Sequence, residues 1–223
     1  MEARLADDGV PVSDVPAGKD SRSIEKRIPA TVRSTFRGLE NADAGDRAMV
    51  RSQLGKQYQG EILVSARCPR GRPAVVLTLP LEGSGGPVPP LLWLTCPRAT
   101  SLVGRVESSG AMKQVKERLD SDEAFGTAFG RDDEEYASVQ RDVALAVGGE
   151  PLARRTGERG VAGGRTGAVK CLHAHLAYWL SLNAGRAGTS EETSCGALGR
   201  WCFETLEEEG GAWCEEPPAA CVI

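Results

Sequence analysis

Two apolar runs, "GEILVSARC" and "PAVVLTLP", are separated only by "PRGR". Both are rich in Val, Ile, Leu and Thr, residues that suit a pleated, buried strand. A Pro–Arg–Gly–Arg link between them predicts a hairpin. "EGSGGPVPP" then reads as a loop and "LLWLTC" as a third strand. Pro69, Pro80 and Pro97 stand at strand ends, where a missing N–H does little harm. Three strands in succession predict an antiparallel meander, stable only when helices cover a face.

From Pro97 the apolar period changes from strand to helix. Leu102, Val103 and Val106 share one helical face in "RATSLVGRVESSG", which ends at Gly110. Met112, Val115 and Leu119 repeat the pattern in "AMKQVKERLDS". The segment from Ser121 carries Phe125, Phe129, Tyr136, Val139 and Val143 at near-helical spacing, with Ser121 as the expected cap. "DRAMVRSQLGKQ" predicts a short helix closed by Gly55. Two more helices are expected, one over "VKCLHAHLAYWLSL" and one over "CGALGRWCFETLEEE". The expected fold is α+β: a small three-stranded antiparallel sheet packed against four or five helices.

At 223 residues, the chain suits one domain with tails. Residues 1–46 are polar and without sustained period, which predicts a disordered or loosely docked extension. The domain is expected over 47–209, with a frayed tail over 210–223. Net charge is −4, with no basic stripe, so no nucleic-acid surface is expected. "MEARLADDGV" has no apolar core of the signal type. Runs such as "PLLWL" are too short to span a bilayer. No membrane partner is expected, and a cytoplasmic protein is, with organelle targeting by the N-terminal extension as the alternative. Seven cysteines, an odd number in such a chain, point to reduced thiols or metal ligands before disulfides.

The densest chemistry is "VKCLHAHLAYWL", which holds Cys171 and both histidines of the chain, His173 and His175. On a regular helix Cys171 and His175 share a face, and His173 falls about 200° away. A Cys and a His four residues apart supply half of a tetrahedral site. Cys68 and Cys96 can supply the rest, because both stand at strand ends and both precede proline. The expected metal set is therefore Cys68, Cys96, Cys171 and His175, holding zinc before an iron–sulfur cluster. His173 is then a neighbour or substitute ligand. Against this stands inert packing, since free cysteines are among the most buried residues. The chain also has no CxxC pair, the stronger mark of zinc.

A second reading makes Cys171 a nucleophile with His173 or His175 as its base. Arg67, Arg98 and Lys170 flank the cysteine motifs; they would lower a thiol's pKa and clamp an anionic small molecule. A third reading is a non-catalytic interaction module with core cysteines. Cys195, Cys202, Cys214 and Cys221 receive no chemistry.

Three stretches, "QLGKQYQGEILVSARCPRGRPAVVLTLP", "PPLLWLTCPR" and "GVAGGRTGAVKCLHAHLA", resemble in order and spacing the bacterial domain of unknown function numbered 501. The resemblance covers about Gln53 to Leu182. The positions carrying it are Cys68, Pro69, Gly71, Pro73, Thr95, Cys96, Pro97, Lys170, Cys171, His173 and His175. It implies a shared Cys/His site without naming a reaction. Arg70 departs from it, since many members have a second cysteine there.

Overall fold

The computed structural model describes residues 27–55, 60–79, 90–156, 159–162, 167–184 and 195–213. It is a mixed α/β fold built on one antiparallel sheet. The described elements are α1 (Ala30–Thr35), β1 (Glu40–Asn41), α2 (Ala44–Leu54), β2 (Ile62–Arg67), β3 (Pro73–Thr78) and β4 (Leu92–Leu94). They continue with α3 (Pro97–Val106), a π-turn over Glu107–Ala111, α4 (Met112–Ser121), α5 (Glu123–Thr156), α6 (Leu172–Asn183) and α7 (Ala197–Glu208). No described helix is long and apolar enough to cross a membrane.

The strands run in the order β1-β2-β3-β4, all antiparallel. The expected three-strand meander is β2-β3-β4. A fourth strand, β1, adds Glu40 and Asn41 to its edge, opposite Val64 and Leu63. Two residues leave no period to read, so this strand lay hidden in the presumed extension. The hairpin closes as expected: the Gly71 N–H donates to the Cys68 carbonyl at 2.8 Å, with Gly71 at φ 76°. Glycine takes that left-handed conformation without steric cost.

β2 and β3 read as continuous apolar runs because the sheet is covered on both faces. Ile62, Val64 and Val76 pack with Val50 of α2 in a small cluster that also holds Ala42. Leu63, Val75 and Leu77 face the main core. The capping box of α2 is formed by Asp43 and Asp46, and its C-terminus by Gly55 at φ 62°. Asp46 also joins Glu40 in gripping Arg67, whose guanidinium makes two 2.8 Å bonds to the Asp46 carboxylate. The Arg67 hydrogen bond holds the Asp46 carboxyl below the usual carboxylate range.

The expected extension is corrected from Ile28 onward. Ile28, Val32, Phe36 and Leu39 are buried in the main core, and Phe36 meets Tyr178 edge-to-face at 6.2 Å. Their spacing is helical, but too short and too diluted by polar residues to read alone. Residues 1–26 lie outside the described residues. At the other end Ala212 is buried, so the presumed tail begins inside the fold; residues 214–223 lie outside the described part.

Helix α6 runs through the core. Leu172, His175, Leu176, Ala177, Tyr178, Leu180, Ser181 and Leu182 are all buried, the pattern of a helix covered on nearly every side. α7 crosses it closely at Gly199, where an added Cβ would collide with the His175 carbonyl oxygen. α5 starts on Asp122, whose carboxylate accepts from the Phe125 N–H at 3.0 Å, not on Ser121, whose hydroxyl donates to the Glu117 carbonyl.

The start of α7 is held by Asp132 of α5, which accepts from the Gly196 and Ala197 N–H groups at 2.6 and 2.7 Å. Burial, opposed by those two bonds, raises the Asp132 carboxyl to about 6. The folded state thus keeps this proton to a higher pH than an unfolded chain, where Asp titrates near 3.9. Its contribution to stability is full below about pH 4 and is lost as pH rises through about 6. The expected result is a wild-type urea midpoint that falls, relative to Asp132→Asn, between pH 4 and 7. A constant difference between the two proteins over that range would contradict it.

Candidate functional site

Cys171 immediately precedes α6 in extended backbone, φ −160° and ψ 121°. This removes it from the helical wheel, so Cys171 and His175 do not share a face. Its side chain meets His173 instead: Sγ lies 3.5 Å from His173 Nδ1. Glu107 approaches the same nitrogen, with Oε1 at 3.4 Å. The three donor atoms, from Cys171, His173 and Glu107, all lie within 4.8 Å of one another. Among the described residues this is the one group of three or more Cys, His, Asp or Glu side chains so arranged.

Each member is held from outside. The Glu107 carboxylate accepts the Leu172 N–H at 2.6 Å, one of the donors left open at a helix start. Glu107 opens the π-turn between α3 and α4, whose Gly110 leaves helical geometry at φ 96°. His173 Nε2 lies 3.1 Å from the Thr100 carbonyl oxygen of α3. A carbonyl only accepts, so Nε2 carries a proton; Nδ1, facing Cys171 and Glu107, donates to them when the ring is charged and has a lone pair for a metal only when that proton is lost.

The electrostatics follow. The hydrogen bond with Cys171, together with the charges of Cys171 and Glu107, raises His173 to about 9 despite its partial burial. His175 is the opposite case. It is 2% exposed, stacks at a tilt on Phe129 with ring centroids 5.4 Å apart, and has no hydrogen-bond partner for Nε2 among the described residues. Burial lowers it to about 4, so it remains a neutral core imidazole. Cys202, fully buried on α7, has its thiol pushed up to about 12 by burial and by the charges of Glu107 and Cys171.

The expected ligand set Cys68, Cys96, Cys171 and His175 is not gathered at one point. Cys68 sits half-buried in the β2–β3 turn, its N–H on the Arg72 carbonyl. Cys96 is the buried residue that precedes α3. The meander brings the strand ends near the core, but the extended backbone at Cys171 turns its thiol toward Glu107. None of the five described cysteines is in a disulfide; Cys214 and Cys221 lie outside the described residues. The expected anion clamps are dispersed too. Arg67 is held by Asp46, Glu40 and the Gly71 carbonyl. Arg98 donates to the Gly210 and Gly211 carbonyls just past α7, and Lys170 is exposed.

Glu107 is the residue that sequence reasoning missed. It lies 65 residues from Leu172 in the chain, and nothing in "GRVESSG" separates it from a solvated acid. The one local signal was the helix break at Gly110.

Fold and cluster together define a mixed α/β domain with a partly exposed Cys–His–Glu cluster at the start of its central helix. Residues 64–190, more than half of the chain and including all three cluster residues, match the family described as protein of unknown function (DUF501). The chain belongs to that family. No curated protein matches it, and no solved structure does.

Proposed function

We propose that this protein binds one divalent metal ion, zinc before other metals, through Glu107, Cys171 and His173. The observation that carries the reading is the spacing of the donor atoms. Zinc bonds of about 2.3 Å to sulfur and about 2.0–2.1 Å to nitrogen and oxygen, at tetrahedral angles, set the S···N edge near 3.6 Å and the N···O edge near 3.4 Å. The corresponding separations here are 3.5 and 3.4 Å. The Thr100 carbonyl on Nε2 supports the same reading, since metal-bound histidines usually donate their other N–H in this way. A single thiolate is too few for an iron–sulfur cluster, whose four ligands are mainly cysteines. Three protein donors on a partly exposed site match the open, exchangeable class of zinc centre better than the closed structural one.

Elemental analysis of protein purified without a metal-binding tag tests this. The expected result is close to one zinc per chain. Zinc and iron both far below one equivalent under reducing conditions overturn it.

The contact between Cys171 Sγ and His173 Nδ1 favours a second reading, in which the metal-free pair acts as thiolate and imidazolium and Cys171 is a nucleophile. Metal-free protein would then be alkylated at Cys171 by iodoacetamide, and His173→Ala would slow that reaction at neutral pH. Equal rates in the two proteins count against it.

A further inference from the structure

Cys202 of α7 is fully buried, and two helix pairings bring it beneath the cluster. α7 runs back along α6: an added Cβ at Gly196 would press on Trp179, and one at Gly199 would collide with the His175 carbonyl oxygen. One further turn along each chain sets Cys202 against the step from Cys171 to Leu172. α7 also packs on α3, and Arg98 at the start of α3 donates to the Gly210 and Gly211 carbonyls past the end of α7. About two turns inward from that tie, Cys202 and Glu107 come to the same level. The two pairings are independent of each other, and they meet at one place. The electrostatics agree: beyond burial, the charges acting on the Cys202 thiol are those of Glu107 and Cys171.

Side chains normally hold packed helix axes about 8–10 Å apart. Gly199 removes that spacer, so the α6 and α7 backbones nearly touch one turn from Cys202. A disulfide needs Cα atoms about 4.4–6.8 Å apart, and a crossing this close supplies the approach. Exposure separates the two thiols. Cys171 is half-buried and reachable, whereas Cys202 is sealed in the core. We propose that Cys171 and Cys202 form a disulfide under hydrogen peroxide, with Cys171 oxidised first and Cys202 resolving it. The Cys171 thiolate attacks one peroxide oxygen; the S–O bond forms, the O–O bond breaks, and the hydroxide released takes up the proton that the thiol had lost. The Cys202 sulfur then displaces the sulfenic hydroxyl, which leaves as water with the Cys202 proton. Two thiols give up two electrons, and one peroxide becomes two waters. The disulfide withdraws the Cys171 sulfur from His173 and Glu107, so it switches off the site under either reading above and rests on neither.

In the test, the full chain is stripped of metal with a chelator, treated with hydrogen peroxide, blocked with N-ethylmaleimide and mapped by mass spectrometry without reduction. The expected product is a Cys171–Cys202 link, assigned by fragmentation because Cys214 and Cys221 follow Cys202 in the chain. In Cys202→Ala the link is absent, and Cys171 is captured as sulfenic acid by dimedone or carried on to sulfinic acid. Alanine suits that position because it places no hydroxyl in the core. A wild type whose Cys171 reaches the sulfinic acid without linking, or links to another cysteine, overturns the proposal, and this map decides even where the variant fails to fold. A zinc-loaded arm reads the metal separately. Zinc held by Cys171 slows the link at least about tenfold, because a coordinated sulfur is not free to attack. Equal rates with and without zinc count against the metal reading and leave the disulfide standing.

Discussion

Gly199→Ala should cost this protein about 3 kcal/mol or more, a large share of the 5–15 kcal/mol that holds a typical domain together. The added methyl group would run into the His175 carbonyl oxygen and lie 2.5 Å from the Trp179 Cβ. Neither obstacle is the mobile end of a long side chain. One is backbone, and the other is the first atom of a side chain stacked on Phe203 at 4.6 Å between ring centroids. The α6 and α7 backbones must therefore part, and overpacking of this kind costs about 1–3 kcal/mol, with larger values where the backbone has to move. Alanine's helix preference returns up to about 1 kcal/mol, which is too little to offset it. Gly104→Ala supplies the contrast within the same protein. With nothing within 4 Å of its new methyl group, it should leave stability unchanged or raise it by up to about 1 kcal/mol. Urea midpoints of the three proteins decide the matter. A Gly199→Ala variant that unfolds with the wild type would mean that α6 and α7 do not cross where they are placed here.

That crossing also shows why part of the fold was legible and part was not. Local signals carry local structure. The "PRGR" hairpin, the Gly55 stop of α2 and the helical faces of Leu102, Val103 and Val106 each depend on neighbours a few residues away. The sheet buried on both faces explains its unbroken apolar strands, but which helix covers which face is a long-range matter. Gly199 looked like any glycine in an amphipathic segment, and its meaning comes from a carbonyl 24 positions earlier. Phe36 and Val32 were hidden for a related reason. Six helical residues present less than two turns of pattern, and only the partner Tyr178 reveals their purpose.

The site divides along the same line. Cys171 and His173 were both in view, yet the helical wheel paired Cys171 with His175. It assumed that the helix already includes residue 171, and a shift of one residue at a helix boundary changes which side chains converge. Sequence patterns place such boundaries poorly, because the residue before a helix is set by what its own side chain and N–H can reach. Here the Leu172 N–H reaches Glu107, a residue brought near only by the tertiary fold. Cys68 and Cys96 drew attention through their neighbouring prolines. Those prolines have structural uses of their own, Pro69 in the hairpin turn and Pro97 in the first turn of α3, where its fixed φ suits a helix start.

Cys171→Ser and His173→Ala should each weaken zinc binding by at least about a hundredfold, the upper end of what is lost when a mere supporting neighbour of a ligand is removed. Glu107→Gln should also weaken it, because the amide keeps a hydrogen-bond acceptor for the Leu172 N–H but carries no charge for the metal. Cys68→Ser should stay within a few-fold of the wild type, since Cys68 belongs to the β2–β3 turn. Stability reads the same contrast. At free zinc a thousand times the wild-type Kd, binding adds about 4 kcal/mol to folding, whereas a variant weakened a hundredfold retains about 1.4 kcal/mol. Zinc should therefore raise the Tm of wild type and Cys68→Ser alike, and that of Cys171→Ser and His173→Ala far less. The reverse order, with Cys68→Ser losing the metal and Glu107→Gln keeping it, would restore the ligand set of Cys68, Cys96, Cys171 and His175 and require the start of α6 to rewind until Cys171 and His175 face one point. Such a rewinding would draw the His175 imidazole out of its contact with Phe129, where burial now keeps it neutral. A core ring does not leave that position without unpacking the helix around it, so the two ligand sets stand for two different folds of the same dozen residues, and zinc affinity distinguishes them.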